Sequence, residues 1–244
     1  MNDKKYQVFY LGHSAWVVET SECYLLFDIQ DENVRVNGMP TDGFVDLSLL
    51  GSKPKYLFFS HNHRDHYSEE LHKMSLNFAD TFIFLGDFTS PIADSAITMK
   101  PGDKWQIGDI VVYTANSTDK GVCFLVQADG VCIFHSGDNA DWGDGEQNQM
   151  YYKEIDYIAE LGVNVNIAFI PVCTFSGQRP SDMTKGAIYA VNKLAPSVTF
   201  PMHANGREDL YYEFEFDLRE SGCDARLICV KRKGLVANAE WLQG

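Results

Sequence analysis

The segment Ser60-His61-Asn62-His63-Arg64-Asp65-His66 sets three imidazoles and one carboxylate into six consecutive residues, 61–66. Imidazole suits zinc, iron and nickel, and a carboxylate adds a harder oxygen ligand. His61 and His63 are two residues apart, so on an extended chain both point the same way and can grip one ion. Asp65 and His66 can turn towards a neighbouring position. Such a set supports hydrolysis by activated water, because metal binding lowers the pKa of water from about 16 towards about 7 and polarises the substrate oxygen. The competing reading is a solvated His-rich turn. The loop directly follows Tyr56-Leu57-Phe58-Phe59, an apolar run that reads as a buried strand, so it sits where a sheet ends and presents ligands.

Three further blocks carry candidate residues. Tyr10-Leu11-Gly12-His13-Ser14 precedes two short strands, the second ending in Leu25-Leu26-Phe27-Asp28. Ile133-Phe134-His135-Ser136-Gly137-Asp138 ends a strand with an Asp, whose plain alternative is capping a turn. Phe200-Pro201-Met202-His203 ends another strand with a His. A lone His there would read as structural, but the upstream cluster needs a distant partner.

The His-x-His-x-Asp-His order, with these blocks around it over residues 10–203, resembles the metallo-β-lactamase superfamily, and in particular its compact single-domain hydrolases similar to ascorbate-6-phosphate lactonase. The resemblance implies an α/β fold, a four-layer α/β/β/α sandwich with metal at the sheet edge, and one domain over residues 1–244 made of two similar halves. It places His61 and His63 at a first metal and Asp65, His66 and His203 at a second. Asp138 bridges both, and Asp65 and Asp138 are the catalytic carboxylates. His13 and Asp28 then orient the ligands, since metal-bound imidazoles donate their other N–H to a carboxylate or carbonyl. Zinc is the expected ion, one or two per chain, with manganese or iron as alternatives.

One position departs from that pattern. The superfamily places a third His for the first metal before Asp138, but this segment reads Tyr113-Thr114-Ala115-Asn116-Ser117-Thr118-Asp119. Asn116 stands near the missing imidazole, and a neutral amide oxygen is a weak zinc ligand. The first site is therefore weak, empty, or completed by Asp119. His135 is three residues before Asp138, an odd spacing that turns it to the opposite face of a strand, so it reads as a core or supporting residue. Trp142, Phe175 and Arg179 lie in loops after sheet strands, placed either to line a substrate mouth or to pack. His72, on the helix after the metal loop, reads as a surface residue.

Composition narrows the function. The 244 residues carry 20 basic and 34 acidic side chains, a net charge of −14. That surface repels phosphate backbones and argues against a general nucleic-acid binder. A small anionic substrate stays open because a bound metal dominates its local field. Six dispersed cysteines without a C-x-x-C pair read as buried thiols. No apolar stretch approaches the ~18 residues of a membrane span and no signal-peptide core is visible, so a cytoplasmic location without membrane contact is expected.

The elements follow from periodicity and turn residues. Strands are expected at 7–11, 15–19, 24–29, 56–60 and 81–85. Ser68–Phe78 reads as a helix with Ser68 as cap, and 90–95 as one helical turn. Hairpins are expected around Gly108-Asp109 and Ala128-Asp129-Gly130. Thereafter helices at 149–161, 181–194 (Ser181 or Asp182 as cap) and 207–221 alternate with strands at 166–172, 198–202 and 226–230. The expected function is a metal-dependent hydrolase of a small-molecule ester, lactone, amide or phosphodiester. The alternatives are a phosphodiesterase or nuclease of the same superfamily, which would need a basic surface, and a non-catalytic metal- or ligand-binding protein that keeps the scaffold.

Overall fold

The structure, a computed structural model, describes residues 6–88, 93–143 and 145–238. The chain forms two compact units, one from Met1–Met99 and Arg232–Gly244 and the other from Lys100–Lys231.

The first unit is a seven-stranded mixed sheet of β1 (Gln7–Gly12), β2 (Ala15–Glu19), β3 (Tyr24–Phe27), β4 (Lys55–Phe59), β5 (Thr81–Gly86), β6 (Ile97–Met99) and β13 (Gly234–Asn238), ordered β13-β1-β2-β3-β4-β5-β6. The early strands pair antiparallel through short turns, while β3, β4, β5 and β6 run parallel. A central parallel strand is covered on both faces and so reads as an unbroken apolar run. Every residue of β4 is buried. Phe27, Phe58 and Phe84 stack across β3, β4 and β5 at successive centroid distances of 4.9 Å. Such cross-strand pairs tie the register of the strands that carry the candidate residues. Helix α1 (Glu69–Ser75) starts where expected: Ser68 Oγ accepts from Leu71 N at 3.0 Å, satisfying one donor of the open first turn.

The second unit is a six-stranded mixed sheet of β7 (Lys104–Ile107), β8 (Ile110–Asn116), β9 (Val122–Ala128), β10 (Val131–His135), β11 (Ile167–Pro171) and β12 (Val198–Met202), ordered β12-β11-β10-β9-β8-β7. Its first four strands form an antiparallel meander and β10, β11 and β12 are parallel. The β9–β10 turn uses Asp129 and Gly130, both with positive φ (46° and 68°), as a tight hairpin requires. Helices α2 (Gly145–Glu160), α3 (Ser181–Leu194) and α4 (Asp209–Glu220) belong to this unit. Each unit thus passes from antiparallel to parallel strands, and in each most candidate residues follow the carboxyl ends of the parallel strands, where open α/β sheets present ligands, while His13 and Asp119 follow the antiparallel strands β1 and β8.

Several expectations need correction. Residues 226–230 form no strand; Leu227 makes an isolated bridge to Thr199. The last strand is instead β13, pairing with β1. Its sequence, Gly-Leu-Val-Ala-Asn, is too short and too weakly β-forming to announce itself, and only the exposed edge of β1 recruits it. The cap of α3 is Pro180, not Ser181 or Asp182. Of the helical turn expected at 90–95, Ala93–Ser95 is a 3-10 turn and 90–92 lie outside the described residues. The six cysteines stand outside any disulfide, and five are buried. Among the described residues no helix is long and apolar enough to cross a membrane.

Candidate functional site

In the first unit the site is built on Asp28. Strands β3 and β4 are parallel with Phe27 opposite Phe58, so the residue that ends β3 lies beside the loop that leaves β4. Asp28 takes a left-handed φ of 45° and is buried. Its Oδ1 accepts from Ser60 N at 2.7 Å, and its Oδ2 accepts from Ser60 Oγ and His66 Nδ1, each at 2.7 Å. The Ser60 hydroxyl hydrogen is therefore committed to Asp28, and its lone pairs face His61 Nδ1 at 3.0 Å. One carboxylate, directly and through one hydroxyl, holds both rings as the Nδ1–H tautomer and leaves each Nε2 with its lone pair.

Those lone pairs face other ligand atoms. His61 Nε2 is 2.9 Å from His63 Nδ1, and His66 Nε2 is 3.5 Å from Asp65 Oδ2. His13, in the two-residue turn between β1 and β2, brings its Nε2 to 3.0 Å from the same Asp65 oxygen. Ligand atoms of His13, Asp65 and His66 lie within 4.8 Å of one another, as do those of His61 and His63.

The second unit repeats the device with different parts. Asp138 follows β10, Cys173 follows β11 and His203 follows β12, so three parallel strand ends bring them together. His203 has a φ of 75°, and its Nδ1 lies 2.8 Å from the Cys173 carbonyl oxygen. A carbonyl only accepts, so Nδ1 carries the hydrogen and Nε2 the lone pair. That Nε2 faces Asp138 Oδ1 at 3.1 Å.

A lone pair against a carboxylate oxygen is repulsive unless a cation lies between them or the ring takes a second proton. The opposition occurs at His66–Asp65 and again at His203–Asp138. The separations also fit a metal. Ligands at ~2.0–2.1 Å from one ion stand about 2.8 to 3.4 Å apart at the edges of octahedral and tetrahedral shells. Residues and geometry in both units therefore suit a divalent metal.

Asp119 and Asn116 part company here. Thr118 ties its segment to residues 139–140: its N–H donates to Asn139 Oδ1 at 3.2 Å, its Oγ1 to Ala140 O at 2.7 Å, and Ala140 N donates back at 3.0 Å. This holds an Asp119 carboxylate oxygen within 4.8 Å of one from Asp138. The Asn116 amide points elsewhere, donating to Met150 Sδ at 3.2 Å and accepting from Ser117 N at 3.1 Å. His135 is buried in β10, 5.8 Å from the Phe169 ring, and accepts at Nδ1 from Gly137 N at 3.2 Å. It supports the turn that delivers Asp138.

His72 is not a surface residue. It is fully buried, with Nδ1 2.9 Å from Tyr67 Oη and Nε2 3.3 Å from Ser95 Oγ. Burial pushes its pKa down to about 4, against the opposing pull of Glu69. Its neighbours Leu71 and Ser75 are also buried, so α1 carries a wider inward face than its sequence suggests. Arg179 ion-pairs with Asp217 and, at 3.6 Å, with Glu213, and so pins α4. Trp142 is half-buried, and Phe175 is 58% exposed. Two working groups escaped the sequence reading. Ser60 adjoins His61 and could have been noticed; the Cys173 carbonyl is backbone and leaves no mark in residue type.

The family described as "Beta-lactamase superfamily domain" matches residues 7–203. Among curated proteins, the chain is similar to a UPF0173 metal-dependent hydrolase of Opitutus terrae, 26% identical over 243 residues, covering 90% of this chain and 95% of the relative. A UPF0173 metal-dependent hydrolase of Pyrobaculum calidifontis is 24% identical, covering 82% and 84%. Among solved structures, Igni18, a metallo hydrolase from Ignicoccus hospitalis, aligns with a TM-score of 0.67 at 19% identity, covering 95% of this chain and 97% of the other. The metallo-β-lactamase fold protein YhfI from Bacillus subtilis aligns at 0.61 with 10% identity, covering 96% and 99%. These likenesses establish an α/β fold of the metallo-β-lactamase type.

Proposed function

The chain belongs to the β-lactamase superfamily, and from that premise we propose that this metal-dependent hydrolase cleaves an ester, lactone, amide or phosphodiester bond in a small molecule. The observation that carries the metal dependence is the His203 ring. Its tautomer is set by the Cys173 carbonyl, and its remaining lone pair faces Asp138 Oδ1 at 3.1 Å. The proposed ligands are His61, His63, Asp65 and His66 from the first unit, and Asp119, Asp138 and His203 from the second. Zinc is the proposed ion, because imidazole and carboxylate are its usual nitrogen and oxygen ligands.

When bound, the metal supplies Lewis acidity and brings the pKa of water towards about 7. The chain's own residues do the rest. Asp28 and Ser60 hold His61 and His66 in the ligating tautomer before any ion arrives, so no reorganisation is needed. Asp138 is the proposed acceptor of the proton that leaves the attacking water. The net charge of −14 supports a small substrate over a nucleic acid, whose affinity depends on Lys and Arg neutralising phosphates.

The test is a panel containing an aryl ester, a lactone and an aryl phosphodiester, offered to the protein before and after chelation. Turnover of at least one should vanish on chelation and return with zinc, manganese or iron, with the loss mainly in kcat. Equal turnover by metal-free protein would remove the mechanism.

A further inference from the structure

We propose that His13 is itself a metal ligand, giving the first unit three ligands (His13, Asp65 and His66) for one ion. This rests on the metal-hydrolase reading above and deepens it. The superfamily resemblance gives His13 only an orienting role, and none of the relatives' names assigns it one.

Three observations carry the inference. The first is convergence. His13 Nε2 and His66 Nε2 stand 3.0 and 3.5 Å from one and the same oxygen, Asp65 Oδ2, and all three ligand atoms lie within 4.8 Å of one another. An orienting imidazole would stand behind the carboxylate, with the ligand atoms on the other side. Here its nitrogen lies among them, and its 3.0 Å separation from Asp65 Oδ2 matches an edge of a coordination shell built on ligand bonds of ~2.0–2.1 Å, with the 3.5 Å of His66 just beyond that range.

The second is backbone conformation. His13 occupies the β1–β2 turn with φ 53°. Gly or Asn adopts that region at lower cost than a ring-bearing side chain. The same left-handed region holds Asp28 and His203 (φ 45° and 75°) beside their ligand groups, and such backbone gathers at ligand sites.

The third is enclosure. His13 is 4% exposed, and its ring meets the His66 ring edge-on at 5.5 Å. This enclosure shields the three groups from bulk water, so an ion held there keeps its bonds to them.

The experiment compares wild type, His13→Asn and His13→Gly, since both replacements suit a positive φ and so keep the turn. Each protein is stripped of metal, checked by thermal unfolding, and given one equivalent of zinc. Affinity is read by competition with a chromophoric chelator, and X-ray absorption counts the imidazoles on the ion. Both variants should bind zinc roughly tenfold or more weakly, with one imidazole fewer, and free imidazole should restore the count in His13→Gly. Weaker binding with an unchanged imidazole count overturns ligation and leaves His13 a positioning residue. Unchanged affinity and count overturn the inference altogether while the hydrolase reading stands. Failure of the wild type to bind zinc, manganese or iron would instead remove the hydrolase reading, and this inference with it.

Discussion

The two units prepare their metal-competent groups by different means. In the first, four of the groups sit in one loop, and a single carboxylate, Asp28, governs two of the rings through bonds of 2.7 to 3.0 Å. In the second, Asp119, Asp138 and His203 come from three separate strand ends, and a backbone carbonyl sets the one ring. The first arrangement is local and rests on a side chain that mutation can remove. The second depends on the register of parallel strands β10, β11 and β12, and its orienting group cannot be mutated away. Robustness and legibility therefore run in opposite directions. The cluster easiest to see in the sequence is also the one most exposed to a single substitution.

The largest effect should come from removing a ring from either unit. His66→Ala and His203→Ala should each lower the metal bound by the protein, by more than the roughly 10- to 100-fold in affinity expected for outer partners. Elemental analysis of the purified variants measures this. A variant that keeps wild-type metal content would show that its ring is no ligand and that the ligand set proposed here is wrong.

A smaller effect should follow from Asp28→Asn. The amide suits the left-handed backbone at φ 45°, so the fold should survive. It cannot accept all three hydrogen bonds, because its NH2 must face either Ser60 N or the pair formed by Ser60 Oγ and His66 Nδ1. Metal affinity should drop roughly 10- to 100-fold with little change in unfolding temperature of the metal-free protein. No comparable substitution exists for the Cys173 carbonyl, so this variant tests the contrast between the units. Wild-type affinity in Asp28→Asn would show that the rings need no carboxylate to hold them.

The sequence made the first cluster legible because its groups are neighbours in the chain and follow an apolar strand. The helix at Ser181–Leu194 and the strand at Val198–Met202 were legible for the same reason: strong periodicity between clear turns. What it hid depends on tertiary context. Strand β13 exists only because the edge of β1 accepts it. His72 turns inward because α1 buries more of its face than a seven-residue pattern reveals. The direction of the Asn116 amide is set by Met150 on α2, and the approach of Asp119 by Thr118 bonding to Asn139 and Ala140, across some 20 residues of sequence.

That last pair offers the finest test of the contrast. Asp119 is exposed and sits in a loop, so whatever it contributes is more solvated and weaker than the buried groups around it. Asn116 has its amide engaged by Met150 and Ser117 and contributes nothing to a metal. Titrating zinc into the metal-free wild type should give one tight event and one weaker event. Asp119→Ala should abolish or weaken the second event and leave the first in place. Asn116→Ala should change neither, since it removes a packing contact and not a ligand. Asn116→His should strengthen the weak event only if the new ring swings away from Met150, and the Asn116 side chain points the wrong way for that. Calorimetric titration separates the cases. A weak event that survives in Asp119→Ala but disappears in Asn116→Ala would show that the amide, against its direction in this structure, is the working ligand.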